Sequence, residues 1–292
     1  MFRNLLKSAV LLALFSVASP SLAAPFCGET PQIAALQEAW HDPTGRVMIA
    51  SHRGGHLRSP ENSLAAVDEA VAAGADFVEI DVRVSRDGVP FIMHDGTVDR
   101  TTDGSGKGED MTFAQLRALR LKGGDTPPPT LLEMLMHTCG RVLVDLDMKT
   151  DRFAPVLAVV DGLGMADQVM MFDSDSDVLR NARALSPALP VMTRLQKDVP
   201  MAEKNRALAP VAIVHGDEET LTPAMKAAIA DMPARIWANS LGDLDKDLGS
   251  GATACPRLKS LLGQGASVIQ TDQPRLLRAR LSACGEGGDE KR

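Results

Sequence analysis

Short apolar runs alternate with amphipathic stretches along most of this chain. Runs rich in Val, Ile, Met and Phe predict strands over 46–51 (RVMIAS), 77–84, 89–94, 141–147, 168–172, 189–193, 211–214, 235–239 and 267–271. Between them, apolar residues recur at helical spacing and predict helices over 62–73, 112–119, 130–138, 152–163, 175–185, 222–231, 256–263 and 273–281. Strand–helix alternation implies a parallel sheet covered by helices. About eight strands in roughly 250 residues is the count of a (β/α)8 barrel of the TIM type. A doubly wound open sheet is the alternative, but no G-x-G-x-x-G follows the first strand.

One link breaks the alternation. Between Asp81 and His94 there is no room for a crossover helix. The Asp87-Gly88 dipeptide suits a two-residue hairpin turn, so strands 77–84 and 89–94 are expected to pair antiparallel. A turn centred there sets Asp81 directly across from His94, with Glu79 on the same face two residues along. Val82, Val84, Phe91 and Met93 would take the other face.

Composition narrows the class. The 292-residue chain is 45% hydrophobic, enough for a sizeable core, yet only 3% aromatic and without Tyr. A formal charge of −7 and few aromatics argue against nucleic acid as a partner. Residues 1–23 read as a signal peptide: Arg3 and Lys7 open it, Ala9 to Val17 form its apolar core, and Ser21-Leu22-Ala23 offer small residues for cleavage. The apolar run is too short to span a bilayer, so no stable membrane anchor is expected. Export to the periplasm or the medium follows. The divisions are then an N-terminal extension at 24–45, a barrel at 46–284 and a disordered tail at 285–292. Export also decides how Cys27, Cys139, Cys255 and Cys284 are read. None forms a C-x-x-C pair, and in an oxidising compartment they are expected as two disulfides, with all three pairings open. Oligomeric state is not readable.

Polar residues collect at strand ends, where barrels keep their chemistry. His52-Arg53 follows the first strand; Asp145, Asp147 and Lys149 alternate on one face of the fourth; Trp237 and Asn239 lie in RIWANS; Asp272 closes SVIQT. Glu79, Asp81 and Asp147 gathered in one cleft would repel unless neutralised. One hard divalent cation, Ca²⁺ or Mg²⁺, resolves this, since it prefers carboxylate oxygens. Such a cation beside Arg53, a forked phosphate ligand, and Lys149, a compact charge, makes an anion site. His52 and His94 across it suggest acid–base cleavage of a phosphoester.

The stretch SHRGGHLRSPENS…GADFVEIDVRVSRDGVPFIMHDGTVDRTTDGSGKG resembles the glycerophosphodiester phosphodiesterase family, with its H-R-G, P-E-N-T, G-A-D-x-x-E-x-D-V and D-G-x-x-V-x-x-H-D motifs. DLDMK is similar to the family's E-x-K strand, IWANS to its W-T-V-N strand, and GASVIQTDQPRLL to its G-x-D-x-I-x-T-D-x-P segment. The match runs from about residue 46 to 123 and recurs to about 277. The resemblance implies a barrel that hydrolyses small glycerophosphodiesters to sn-glycerol 3-phosphate and an alcohol. In it His52 and His94 would be the acid–base pair, and Arg53 and Lys149 the phosphate ligands. Glu79, Asp81 and Asp147 would hold the metal, with Glu61, Asn62, Trp237 and Asn239 in supporting positions.

The chain departs from the pattern in three places. Asp147 stands where the family has Glu; Asp is the residue type of the related sphingomyelinase D group. The stretch from His94 to the helix near 130 is short, so the pocket is expected to be open. Ser63 replaces Thr and Ala238 replaces Val. Two other readings remain: a lipid-directed phosphodiesterase of the phospholipase D or sphingomyelinase D kind, and a catalytically silent binding barrel.

Overall fold

The computed structural model describes residues 27–195, 208–217, 219–230 and 234–285. The expected signal peptide and all but the first residue of the expected tail lie outside them. Among the described residues nine strands form one sheet: β1 (Met48–Ser51), β2 (Phe77–Val84), β3 (Pro90–Ile92), β4 (Leu143–Met148), β5 (Val169–Asp173), β6 (Val191–Arg194), β7 (Ile213–His215), β8 (Arg235–Asn239) and β9 (Val268–Thr271). β1 pairs with both β9 and β2, which closes the ring. Every strand of the ring is parallel to its neighbours, and β3 hangs outside on β2 as the single antiparallel partner. The chain is a (β/α)8 barrel.

Around it lie α1 (Pro31–His41), α2 (Leu64–Ala72), α3 (Phe113–Ala118), α4 (Leu131–Thr138), α5 (Phe153–Leu163), α6 (Ser176–Leu185), α7 (Pro223–Ala228), α8 (Asp243–Asp247), α9 (Gly251–Gly263) and α10 (Pro274–Gly285). Local chemistry sets several boundaries. α2 begins two residues later than spacing predicts, because Asn62 sits at φ +60° and Ser63 caps the helix by accepting the Ala66 N–H at 3.1 Å. α9 begins before Pro256, where the sequence reading started it. A proline inside a helix forgoes one backbone bond. Burial of Ala254, Leu258 and Leu261, and the Cys255–Cys284 disulfide to α10, hold the helix across it.

The pleat sorts side chains into two cores. Val78, Ile80 and Val82 point outward and pack against the helices. Phe77, Leu143, Met170, Met192, Ile213, Trp237 and Val268 point inward and fill the barrel. α1, in a stretch expected only as an extension, presents Ile33, Leu36 and Trp40 to this inner core and closes the barrel's lower end. The Cys27–Cys139 disulfide ties the start of this segment to the end of α4.

The hairpin pairs in a different register from the expected one. Val82 faces Ile92, Arg83 faces Phe91 and Val84 faces Pro90. The Ser85 N–H donates to Val89 O at 2.9 Å, so the loop has three residues, with Gly88 at φ +94°. A third loop residue shifts the pairing by one. Asp81 therefore lies opposite Met93, whose N–H donates to Asp81 O at 2.9 Å. His94 falls just beyond the strand and is not across from Asp81. Val82 and Ile92 share one core, while Phe91 and Met93 join Val98 and Leu116 in a small satellite core under the following loop.

Candidate active site

The carboxylates meet because β2 and β4 are in register: Glu79 beside Asp145, and Asp81 beside Asp147. All four lie on the inward face. Glu79 and Asp81 are 2% and 1% exposed, so water can screen neither charge. Donor oxygens of Glu79, Asp81 and Asp147 lie within 4.8 Å of one another. Burial, and then the charges of Asp81, Asp147 and Asp145, hold the Glu79 carboxyl well above its usual range. Burial raises Asp147 as well, although Lys149 works against the rise. Asp145, one layer deeper, is raised by burial and then by Asp147, and its buried Oδ1 has no partner among the described residues. The shorter arm of Asp147 still reaches the cluster. An all-oxygen, under-neutralised set of this kind fits a hard dication.

Positive charge converges from two sides. Lys149 Nζ lies 2.7 Å from Asp147 Oδ2 and 3.3 Å from Asp81 Oδ1. Arg53 follows β1 at φ +51°, an uncommon conformation for a residue with a side chain. Its N–H donates to Glu79 Oε2 at 2.9 Å, its Nη1 to Glu61 Oε1 at 3.1 Å, and its Nε sits 3.5 Å from Asp81 Oδ2. The next residue, Gly54, must be glycine: a Cβ there would lie 2.8 Å from the Ala66 Cβ. Asn62, also at positive φ, brackets Asp81 by donating from Nδ2 to Asp81 Oδ2 at 2.7 Å and accepting the Asp81 N–H at 3.2 Å.

Each histidine leans on a carboxylate through Nδ1. His52 Nδ1 is 2.8 Å from Asp272 Oδ1, and His94 Nδ1 is 2.8 Å from Asp95 Oδ1. Burial opposes the charge on Asp272, but hydrogen bonds with His52 and His56 hold it far below the usual range. Asp95 is depressed first by Arg100, which also grips Glu61 through two nitrogens, each at 2.7 Å. His94 reaches the cluster by a route the hairpin argument did not contain. Arg83 donates to His94 O from Nε and Nη2, at 3.2 and 2.8 Å, and to Lys149 O at 3.0 Å. His94 lies near enough to Asp147 to pull its carboxyl down.

Trp237 is buried and touches the site indirectly. Its Nε1 donates to Gln270 Oε1 at 3.2 Å, and Gln270 Nε2 donates to Glu79 Oε2 at 3.2 Å. An indole can only donate, so it dictates which end of the Gln270 amide faces Glu79. Asn239 turns to His215, with 3.3 Å between Oδ1 and Nε2. Burial, then Arg194, pushes His215 down to about 4, so it is neutral at pH 7. Sequence reasoning did not single out Arg83, Asp95, Arg100 or Gln270 as site residues. Gln270 was discoverable, since alternation from Asp272 puts it on the inward face. Arg100 opens the RTTDGSG loop inside the stretch that resembles the family and could have been marked there; Arg83 carries no local signal.

A family model described as the glycerophosphoryl diester phosphodiesterase family matches residues 52–230, more than half of the chain. The chain belongs to that family. Among its relatives, glycerophosphodiester phosphodiesterase 1 of Rattus norvegicus is 45% identical over 116 residues, covering 37% of this chain and 35% of that protein. The human protein of the same name is 48% identical over 89 residues, covering 30% and 26%. The chain thus matches about a third or less of the length of these curated relatives. Agreement with solved family members is longer. A glycerophosphodiester phosphodiesterase from Agrobacterium tumefaciens str. C58 is 28% identical, with a TM-score of 0.68 over 80% of this chain and 99% of that one. An Oleispira antarctica phosphodiesterase, solved in complex with the product sn-glycerol-3-phosphate, shares the fold at a TM-score of 0.69 and 24% identity over 80% and 96% of the two chains.

Proposed function

We propose that this chain hydrolyses glycerophosphodiesters to sn-glycerol 3-phosphate and an alcohol, with one divalent cation, Ca²⁺ or Mg²⁺, held by Glu79, Asp81 and Asp147. One observation carries the reading: a three-carboxylate cluster flanked by Arg53 and Lys149, with two histidines each backed by an aspartate. The cation, when bound, would supply the positive charge that neutralises the carboxylates and draws electrons from phosphorus. Arg53 and Lys149 would orient the phosphate oxygens. Glu61, Asn62 and Trp237 would support the site through Arg53, Asp81 and Gln270. Asn239 would act through His215.

A carboxylate at Nδ1 fixes the ring proton there and leaves Nε2 for the reaction. His52 takes the proton of the attacking oxygen as it bonds to phosphorus. That oxygen is water's, or the substrate's own glycerol hydroxyl, in which case a cyclic phosphodiester forms and water opens it to sn-glycerol 3-phosphate in a second step. His94 must carry a second proton on Nε2, and gives it to the departing alkoxide as the P–O bond to the alcohol breaks. Export is part of the same proposal, and the two disulfides support it, since such bonds persist in oxidising compartments. Among the described residues no helix is long and apolar enough to cross a membrane.

Release of sn-glycerol 3-phosphate from choline, ethanolamine, glycerol and inositol diesters, with and without chelator, tests the activity. Lysophosphatidylcholine and sphingomyelin belong in the same panel. Cleavage of those lipids but not the water-soluble diesters would replace this reading with the lipid-directed one. Activity that survives exhaustive chelation would remove the cation.

A further inference from the structure

The loop after β1 holds a histidine that the proposed reaction does not use. His56 Nε2 lies 2.9 Å from Asp272 Oδ1, the same oxygen that His52 Nδ1 approaches at 2.8 Å. The two rings meet edge to face with centroids 5.8 Å apart. One donor atom from each of His52, His56 and Asp272 falls within a common span of 4.8 Å. We propose that these three residues form a second cation site, selective for a borderline transition-metal ion such as Zn²⁺, and that filling it silences His52.

The donor set decides the selectivity. Two imidazole nitrogens and one carboxylate oxygen suit tetrahedral Zn²⁺ or Co²⁺ and suit Mg²⁺ or Ca²⁺ poorly. The cluster of Glu79, Asp81 and Asp147 offers oxygen alone. The two groups on one barrel mouth therefore sort cations by hardness. Ligands at about 2.0–2.2 Å around a tetrahedral ion stand about 3.3 Å apart, so the present nitrogen–oxygen separations need open by only about half an ångström.

The framework is already in place. The His52 N–H donates to Thr271 O at 3.0 Å, which locks the end of β1 to the end of β9. Asp245 holds Asp272 by accepting its N–H at 2.7 Å, and the Thr271 hydroxyl at 2.6 Å. Entry is open as well: a cavity of about 330 Å³ lined by Gly55, Leu57, Pro274 and Leu276 reaches Asp272. The ion would take the place of the protons that now join the imidazoles to Asp272, leaving a fourth position for water.

The consequence for His52 follows from imidazole chemistry. With the metal on Nδ1, the one ring proton of a neutral imidazole sits on Nε2. That nitrogen then has no lone pair to accept a proton. Silencing rests on the acid–base role proposed above for His52; binding does not.

The test separates the two. Co²⁺ is titrated into the purified full chain in excess Mg²⁺ or Ca²⁺, which fills the oxygen cluster, and visible absorption is read. One Co²⁺ per chain with the intense spectrum of a tetrahedral ion is expected. His56→Ala and His56→Asn should lose that spectrum while keeping diesterase activity. In both, the Zn²⁺ concentration for half-inhibition should rise about tenfold or more, since even partners outside the ligand shell are worth that much to metal affinity. No tetrahedral spectrum in the wild-type chain, or the same spectrum in both variants, overturns the site. Equal Zn²⁺ inhibition of wild type and variants would place the inhibitory ion on the oxygen cluster and overturn the silencing. A Co²⁺ spectrum without Zn²⁺ inhibition upholds the site and removes the acid–base role of His52.

Discussion

The two ends of the barrel bury charge in opposite ways. At the lower end Arg235, 1% exposed, donates to the carbonyls of Trp40, Ala39, Asp42, Arg46 and Ser267. Three of those carbonyls belong to the last turn of α1 and its cap, so the guanidinium also satisfies helix-end acceptors. Every contact is inside the protein, and the group anchors the plug. At the upper end Glu79, Asp81 and Asp145 are buried beside half-buried Asp147 with too little positive charge, and among the described residues the Asp145 Oδ1 has no partner. Both ends use inward-facing positions of barrel strands, Arg235 on β8 and the carboxylates on β2 and β4. A buried charge saturated by the fold is structural; one left wanting is poised for something the fold does not supply.

The largest effect should come from the upper end. Glu79→Gln and Asp81→Asn each remove a charged oxygen that a dication needs, and activity should fall by about three orders of magnitude or more. Both variants should fold, and without cation Glu79→Gln should melt at or above the wild-type temperature, because a neutral amide replaces a carboxyl whose ionisation burial and the neighbouring carboxylates oppose. A lower melting temperature would mean the cluster stabilises the empty protein, and the contrast between the ends would collapse.

His94→Ala is expected next. With a choline or ethanolamine leaving group, turnover should drop by roughly two to four orders of magnitude. With p-nitrophenol, which needs no proton to depart, the loss should be much smaller, while His52→Ala should damage both substrates alike. Equal losses from His94→Ala on both esters would refute its role as the acid.

Arg235→Met probes the lower end. It strands several carbonyls and should cost about 3 kcal/mol or more by denaturant titration, with kcat per folded molecule little changed. Loss of turnover with stability intact would make this end part of the site.

Protonation sharpens the contrast. Glu79 is raised, so the folded state keeps a proton that the unfolded chain releases near pH 4.5. Its contribution to stability is therefore present below that pH and is lost as the pH rises toward the folded value. Asp272 and Asp95 are depressed, and their contributions are complete above pH 4 and lost only on acidification. His56 is raised by its hydrogen bond to Asp272 and adds a further loss above pH 6.5. Without cation, the melting temperature should thus fall as the pH rises above about 5, and saturating Mg²⁺ or Ca²⁺ should flatten that fall. A slope indifferent to cation would show that the carboxylates are not its source.

Gln270→Leu should have a smaller effect again. It frees Glu79 Oε2 from one donor and leaves the Trp237 N–H unpaired, so cation affinity by calorimetry should weaken by about tenfold. Trp237→Phe should do less, since Gln270 then keeps its contact to Glu79 but loses its fixed orientation.

Much of this was legible in one sequence. Period-two and period-three-to-four patterns report which face is buried, and both survive folding because the barrel is made of such faces. The inward row Glu79–Asp81 and the matching row Asp145–Asp147 followed from alternation alone. The hairpin register did not, because Asp87-Gly88 is compatible with a loop of two residues or three, and one residue decides what lies across from Asp81. α1 was not read, although Ile33, Leu36 and Trp40 fall at helical spacing behind a Thr30 cap; what no local pattern states is that this face docks under the barrel.

The sequence by itself determined the kind of barrel, the residue types at its mouth and the family they resemble, since these depend on local pattern and on order along the chain. Only the tertiary structure decided which partners those residues have. Asp272 meets His52 from 220 residues away, Gln270 meets Glu79 from 191, and Arg235 meets Trp40 from 195. Closing β9 onto β1 creates the first two contacts, and docking α1 under the barrel creates the third. No local preference encodes such distances; they arise when the ring closes and every buried donor and acceptor must find a partner at once.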